Sequence, residues 1–491
     1  MLRPLITAAQ GFPALEQLAE GAEETLHMSF RIFDPATRLH GEGPRSRGLE
    51  TWADLLSETT ARGVKLRLLL ADFDPFFTPD LHRLAWRSAN HVREAVEGDV
   101  QVLCAPHGQV AGWIWRLLMR GTLSKRIAEL KQEDETGLTP VEKAALKGVA
   151  HLRPVTLHQK FAVADACRGM IGGLDINDRR YDTPGHDLPP EETWHDVSMA
   201  VDGDFCGPLL RHFVDCWNRS LECGAAPEGS SATRMEEPGN APDTPQSPVL
   251  LRTMSTPCPG VSRLSPRTEV REIEDGTLEA IRSARDSLYI ETQFLRHKPV
   301  ADALVEAARH PELDLVIILP AFADRVLFDG DRGWDARHAH ALQTRALERI
   351  DAAYGERCAV IAPAQPRPAN EKTLAIHGAG PVYVHSKVML VDDHTGIVGS
   401  ANLNGRSLRW DTEASIRFHD TDTIAAMRQE LAQIWLGGTE DDITRAATWR
   451  AAAAANADLP PTERKGFAVP YPLERVRRFS RFLPILPDDM F

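Results

Sequence analysis

Two stretches of this chain carry, at one spacing, the residue types that nucleophilic chemistry at phosphorus calls for. From His158 the sequence reads HQKFAVADACRGMIGGLDINDRR, and from His385 it reads HSKVMLVDDHTGIVGSANLNGRS. Each contains His-x-Lys-x-x-x-x-Asp. In one register the identical pairs are His158/His385, Lys160/Lys387, Asp165/Asp392, Gly169/Gly396, Gly172/Gly399, Asn177/Asn404 and Arg179/Arg406. A neutral imidazole supplies a nucleophile, and an ammonium beside it offsets charge building on the non-bridging oxygens of a phosphodiester. A lone buried histidine is more often a core residue than a catalyst, but a second copy with the same lysine, acid and glycines argues for chemistry.

The residues flanking each motif are mainly apolar or β-branched, VTLHQKFAVAD and VYVHSKVMLVD. They predict a buried strand in each case, with His and Lys two apart on one face. The turns Gly172–Gly173 and Gly399–Ser400 put small residues where backbone can approach a phosphate. Asp165 and Asp392 are expected to be structural, bonding backbone or a neighbouring lysine at the strand end, with Asn177, Asn404, Arg179 and Arg406 supporting the glycine turn. No His, Cys and carboxylate cluster has metal spacing, and a two-histidine mechanism requires neither a metal nor another cofactor.

The elements that must position these residues are duplicated too. RYDT at 180–183 matches RWDT at 409–412, Asp196 in WHDVSMAV falls opposite Glu413 in TEASIRF, and Trp217 falls opposite Trp435. Upstream, ALEQLAEGAEET leads into LHMSFRIFD as GTLEAIRSARDS leads into LYIETQFLR, and a dense apolar run follows in each half, VKLRLLLADF and LDLVIILPAF. Short Val, Ile and Leu runs alternating with helical periodicity predict an α/β unit with a buried sheet, twice. The expected division is 1–223 for the first unit, with a helical insertion at about 79–150, then a Pro-, Gly- and Ser-rich linker over 224–260, a second unit over 261–450 and a partly ordered tail over 451–491.

The chain has 491 residues, 43% hydrophobic, enough for more than one core. Its net charge of -14 opposes non-specific binding to a polyanion, so nucleic acid is not an expected partner. Seven scattered cysteines with no CxxC predict reduced thiols. No signal-peptide h-region and no membrane-spanning apolar run is visible, which predicts a soluble monomer, cytoplasmic or peripherally membrane-associated, with export by a route lacking a cleaved signal left open. Within the insertion, Trp113, Ile114, Trp115, Leu117, Leu118 and Met119 stand beside Arg116, Arg120, Lys125 and Arg126. That pattern suits an interfacial helix meeting a lipid surface, and equally an ordinary packed helix. The segment at 331–378 is expected to cover the cleft.

These residues resemble the phospholipase D superfamily over most of 20–440. GGLDINDRRYDTPGHDL and WHDVSMAVDG after the first motif, and YIETQFL at 289–295, are similar to its phospholipase branch. The resemblance implies two homologous α/β domains, each a mixed sheet flanked by helices, related by a pseudo-twofold with one active site at their interface. It implies that His158 attacks phosphorus to form a phosphohistidine, while His385 protonates the leaving alkoxide and then activates water or a primary alcohol. Such roles demand that the two imidazole pKa values be pushed apart. Asp196 and Glu413 are the carboxylates expected to hold the second ring nitrogen of His158 and His385 respectively. Asn402 matches the family's phosphate-contacting asparagine, with Asp175 at that position in the first half, and Ser400 and Gly173 are expected beside the phosphate. The implied activity is hydrolysis or transphosphatidylation of glycerophospholipids at a membrane surface, giving phosphatidic acid and a free headgroup. A cardiolipin-synthase-like phosphatidyltransferase and a nuclease or other phosphodiesterase are the alternatives.

Overall fold

In both halves the apolar runs become interior strands, buried on both faces as parallel strands under crossover helices must be. The computed structural model of the chain describes residues 2–105, 107–148, 150–223, 232–238, 248–258, 260, 266–371, 373–484 and 487–491. The first sheet contains β1 (Leu2–Ile6), β2 (Thr25–Phe30), β3 (Lys65–Ala71), β4 (Val100–Ala105), β5 (Phe161–Ala164) and β6 (Arg168–Gly172). A short β7 (Trp194–His195) precedes its last strand, β8 (Val197–Asp202). The second sheet contains β9 (Val249–Thr256), β10 (Arg267–Arg271), β11 (Ser287–Glu291), β12 (Asp314–Ile318) and β13 (Cys358–Ile361). After β14 (Ala364–Pro368), β15 (Ala379–Pro381) and β16 (Tyr383–Val384), which lie outside it, β17 (Val388–Val391), β18 (Thr395–Gly399) and β19 (Glu413–Phe418) complete it.

The sheets run β4-β3-β2-β5-β6-β8-β1 and β13-β12-β11-β17-β18-β19-β9-β10. Strand for strand the order is the same, with β10 added. The first three of each are mutually parallel, and the rest pair antiparallel. Register repeats as well: Ser29 lies opposite Phe161 in one sheet, and Glu291 opposite Val388 in the other.

The halves join edge to edge beside the two motifs. Leu157 bridges Thr412, and β16 pairs with β7 through Tyr383–Trp194 and Val384–His195. Buried side chains of both sheets, such as Met28, Val163, Val316 and Ile416, belong to one continuous apolar cluster.

Three segment boundaries differ from expectation. The span 79–150 is not all insertion: the helix Pro79–Ala95 and β4 complete the first sheet, whose third parallel strand needs its own crossover helix. Only the helices Trp113–Leu118, Arg120–Leu130 and Pro140–Lys147 stand outside it, around a small core of Phe76, Leu123 and Leu130. The linker over 224–260 ends early, because Val249–Thr256 pairs with β19 as the counterpart of β1; most of its remainder lies outside the described residues. The tail contains helices Ala446–Asp458 and Leu473–Phe479, and Val469 and Val476 bury against the second sheet's core.

Candidate active site

His158 to Lys160 and His385 to Lys387 stand one step ahead of β5 and β17 rather than on them. Their backbone donors are spent across the seam, which is why the ladder begins only at residues 161 and 388. The N–H groups of His158 and Gln159 both donate to Thr412 O, and those of His385 and Ser386 both donate to His195 O. His and Lys still share one face, since Lys160 Nζ lies 3.3 Å from His158 Nδ1, and each lysine donates to the carbonyl of its own histidine.

The carboxylates pair in the opposite sense from expectation. Glu413 of the second half takes His158, Nδ1 to Oε2 3.0 Å, and Asp196 of the first half takes His385, Nδ1 to Oδ2 2.6 Å. The seam explains the exchange: each histidine is stitched to the strand entry of the other half, where that half's carboxylate begins its own strand. With both Nδ1 atoms bonded, Nε2 is the nitrogen each imidazole offers to a substrate. A ring that donates Nδ1–H to its carboxylate carries a lone pair on Nε2.

The glycine turns serve the carboxylates. A Cβ on Gly173 would lie 2.1 Å from Asp196 Oδ1, so only glycine admits that carboxylate. Gly173 N donates to Val197 O, Ser400 N donates to Ala414 O, and Ser400 Oγ donates to Glu413 Oε2 at 2.5 Å. Gly173 and Ser400, expected at the phosphate, thus have these donors committed to the protein. Asp175 accepts Ile32 N through Oδ1, and its buried Oδ2 has no partner. Asp165 accepts from the backbone of Glu23, Glu24 and Thr25, and Asp392 from that of Arg285, Asp286 and Ser287. Asn177 accepts Arg180 N, and Asn404 accepts Ser407 N.

Asn402 is buried, with Nδ2 donating to Gln293 Oε1, Gln293 Nε2 donating to Tyr383 Oη, and Asn402 Oδ1 unpartnered. Turning both amides over keeps both contacts and lets Tyr383 Oη donate to Gln293 while accepting Asp324 N. The pair then exchanges an orphan acceptor for an orphan donor at Asn402, which an anionic oxygen satisfies.

A family model described as "Cardiolipin synthase, PLD-like domain" matches residues 277–435. Phospholipase D1 of Schizosaccharomyces pombe is 25% identical over 366 residues, 57% of this chain and 26% of that protein. Over these spans the chain is similar to the phospholipase D superfamily. Cardiolipin synthase A of Pseudomonas entomophila is 24% identical over 261 residues, 53% of this chain and 43% of that protein. The alignments therefore span between a quarter and under half of these relatives' own lengths. A solved phosphatidylserine synthase from Haemophilus influenzae Rd KW20 shares the fold, at a TM-score of 0.54 with 12% identity, over 88% of this chain and 86% of that one.

Burial sets the charge states around this phospholipase D-type pair of motifs. It pushes Glu413 up to about 8, against the pull of Lys160, and Asp196 up to about 6, against Lys387. Burial also lowers both imidazoles well below the ordinary histidine range, helped by Lys160 at His158 and by Lys387 at His385. Each imidazole feels the other half's lysine, and His385 feels His158, so the two dyads share one electrostatic site. Both imidazoles shift in the same direction, with burial the leading cause at each. Lys387 is lowered to about 7 by burial, and Lys160 is lowered too.

Several site residues carry no motif signal. Behind His385 a buried chain runs from Asp182 to His186 (2.7 Å), His195 (3.4 Å) and Glu291 (3.3 Å), which also accepts the hydroxyls of Ser386 and Tyr289. Behind His158 the equivalent space holds an uncharged set, Gln159 between Ser29 and His212. The differing pairs Gln159/Ser386 and Ser29/Glu291 are sequence traces of that difference. Among the described residues no group of three or more His, Cys, Asp or Glu is placed to hold a metal ion, and no helix is long and apolar enough to cross a membrane.

Proposed function

We propose that this chain cleaves, or transfers the phosphatidyl group of, glycerophospholipids through a phosphohistidine on His158. The observation that carries the reading is the pair of Nδ1-anchored imidazoles, each with its lysine, in one electrostatic site. His158 Nε2 attacks phosphorus, and the P–O bond to the headgroup breaks as the His385–Asp196 pair, which enters this step with one extra proton carried on His385 Nε2, delivers that proton to the leaving alkoxide. Water, or a primary alcohol, then gives its proton to His385 as its oxygen attacks phosphorus and the P–N bond breaks. Lys160 and Lys387 offset the charge on the non-bridging oxygens throughout.

The lipid class is supported by the helix Trp113–Leu118. Trp113 is 50%, Leu117 50% and Leu118 66% exposed, while Trp115 and Met119 pack inward. Arg120 and Lys125 are exposed just beyond them, giving the apolar and cationic mix of an interfacial helix. Transfer to a second phospholipid is the competing reading, favoured by the cardiolipin synthase likeness.

Purified protein with a chelator present, given phosphatidylcholine plus a primary alcohol, phosphatidylglycerol, or single-stranded DNA, separates these readings. Headgroup release with alcohol exchange supports the phospholipase, and conversion of phosphatidylglycerol to cardiolipin supports the transferase. Cleavage of DNA alone overturns both, and loss of activity with the chelator overturns metal independence.

A further inference from the structure

Arg180 and Arg409 occupy the same place in the repeated RYDT and RWDT segments. Their surroundings differ sharply. Arg409 is fully neutralised, through Nε and Nη2 on Glu274 at 2.9 Å and through Nη1 on Asp489 at 3.2 Å. Arg180 is 6% exposed, yet its Nε and Nη1 are buried without a hydrogen-bond partner. Asp175 and Asp324 act on it only through space. Leaving buried donors of a charged group unmade is costly, so such donors are normally satisfied by something that binds.

The position of this guanidinium says what that something meets. It stacks 3.5 Å from the centre of the Trp194 ring, and the same ring lies 5.2 Å from the His385 imidazole and 4.6 Å from the Tyr383 ring. Arg179 approaches Trp194 as well, at 5.5 Å. An aromatic face already covered by a cation is closed to a quaternary ammonium, which would need such faces for itself. Arg31 Nε is a further buried donor without a partner.

We propose that Arg180 forms a second anion subsite beside His385, so that the substrate carries a further anionic group, a phosphate or phosphodiester, on the leaving headgroup. This deepens the reading above and rests on it, because His385 is there the acid that protonates the headgroup oxygen. Bidentate capture by a preorganised guanidinium suits a phosphate better than a single carboxylate oxygen. Lipids with choline headgroups are then poor substrates, and bisphosphatidyl or phosphorylated headgroups are good ones.

The test uses the full chain and soluble probes, so that vesicle charge plays no part. Binding of propane-1,3-diol bisphosphate and of propyl phosphate is measured by calorimetry, alongside hydrolysis of bis(p-nitrophenyl) phosphate. The expected result is at least tenfold tighter binding of the bisphosphate to wild type, an advantage lost in Arg180→Gln. Equal affinities in wild type overturn the subsite, as does an advantage retained in a folded Arg180→Gln. Should that variant not fold, the preference of wild type among short-chain lipid monomers decides: turnover of phosphatidylglycerol phosphate at least tenfold above phosphatidylcholine supports it, and parity overturns it. Failure to cleave any phosphodiester while the bisphosphate advantage persists overturns the proposed function and not the anion subsite.

Discussion

At the scale of single residues, the dyads make the two histidines separable by experiment. In the proposed mechanism His158→Ala removes the atom that attacks, so neither bis(p-nitrophenyl) phosphate nor a lipid should turn over, and no phosphoenzyme should form. By the same mechanism His385→Ala removes the acid, which p-nitrophenolate hardly needs, so a phosphohistidine should build up on His158 and turnover should fall by about 10²–10⁴. Mass spectrometry of the quenched variant locates the modified ring. Lys387, lowered to about 7 by burial, predicts an alkaline limb in kcat/KM. As pH rises through that value the free enzyme loses the cation that meets the phosphate, so kcat/KM falls above about pH 7. Bound substrate restores the charge, so kcat holds to higher pH. Glu413 gives a stability prediction of opposite interest. Its folded pKa of about 8 lies above the ordinary 4.5, so between those values the folded protein keeps a proton that the unfolded chain has lost. Stability contributed by that proton is present at acid pH and is lost as pH rises through 8. Glu413→Gln has no such slope. Its melting temperature should gain on wild type at pH 8.5 and not at pH 4.5.

At the scale of elements, the helix Trp113–Leu118 offers the clearest separation of binding from chemistry. Replacing Trp113, Leu117 and Leu118 together by serine should reduce hydrolysis of anionic vesicles at least tenfold. The rate on bis(p-nitrophenyl) phosphate should not change, since none of the three is buried with the motifs. Equal losses on both substrates would refute a lipid-facing role. The same element shows what a sequence reveals and hides. Its composition marked it as either interfacial or packed, and only exposure shows both at once, with Leu118 outside and Trp115 inside. The His–Lys pairs were legible because chemistry fixes residue type and spacing locally. The partners of those histidines were not, because Asp196 and Glu413 stand at strand entries whose neighbours are set by docking between halves, which no local pattern encodes. Arg180 was invisible for a related reason: its motif copy, Arg409, is an ordinary ion-paired surface group.

At the scale of the whole molecule, the repeat predicted two sheets, and their identical strand order follows from it. Residues 249–256 looked like linker because their position after a Pro- and Gly-rich run outweighed the alternation in VLLRTMST, whose counterpart strand, β1, opens the chain. The exchange of carboxylates also makes activity a property of the joined pair. Residues 1–223 and 248–491, purified separately, should each be inert toward bis(p-nitrophenyl) phosphate, and mixing them should restore hydrolysis. Activity in either piece alone would contradict the site described. A further consequence concerns inheritance after duplication. Since each copy keeps its base and lends out its acid, a lesion in one copy cripples the other's imidazole as well. Neither copy is then free to change while its twin carries on, and so both signatures persist in one polypeptide.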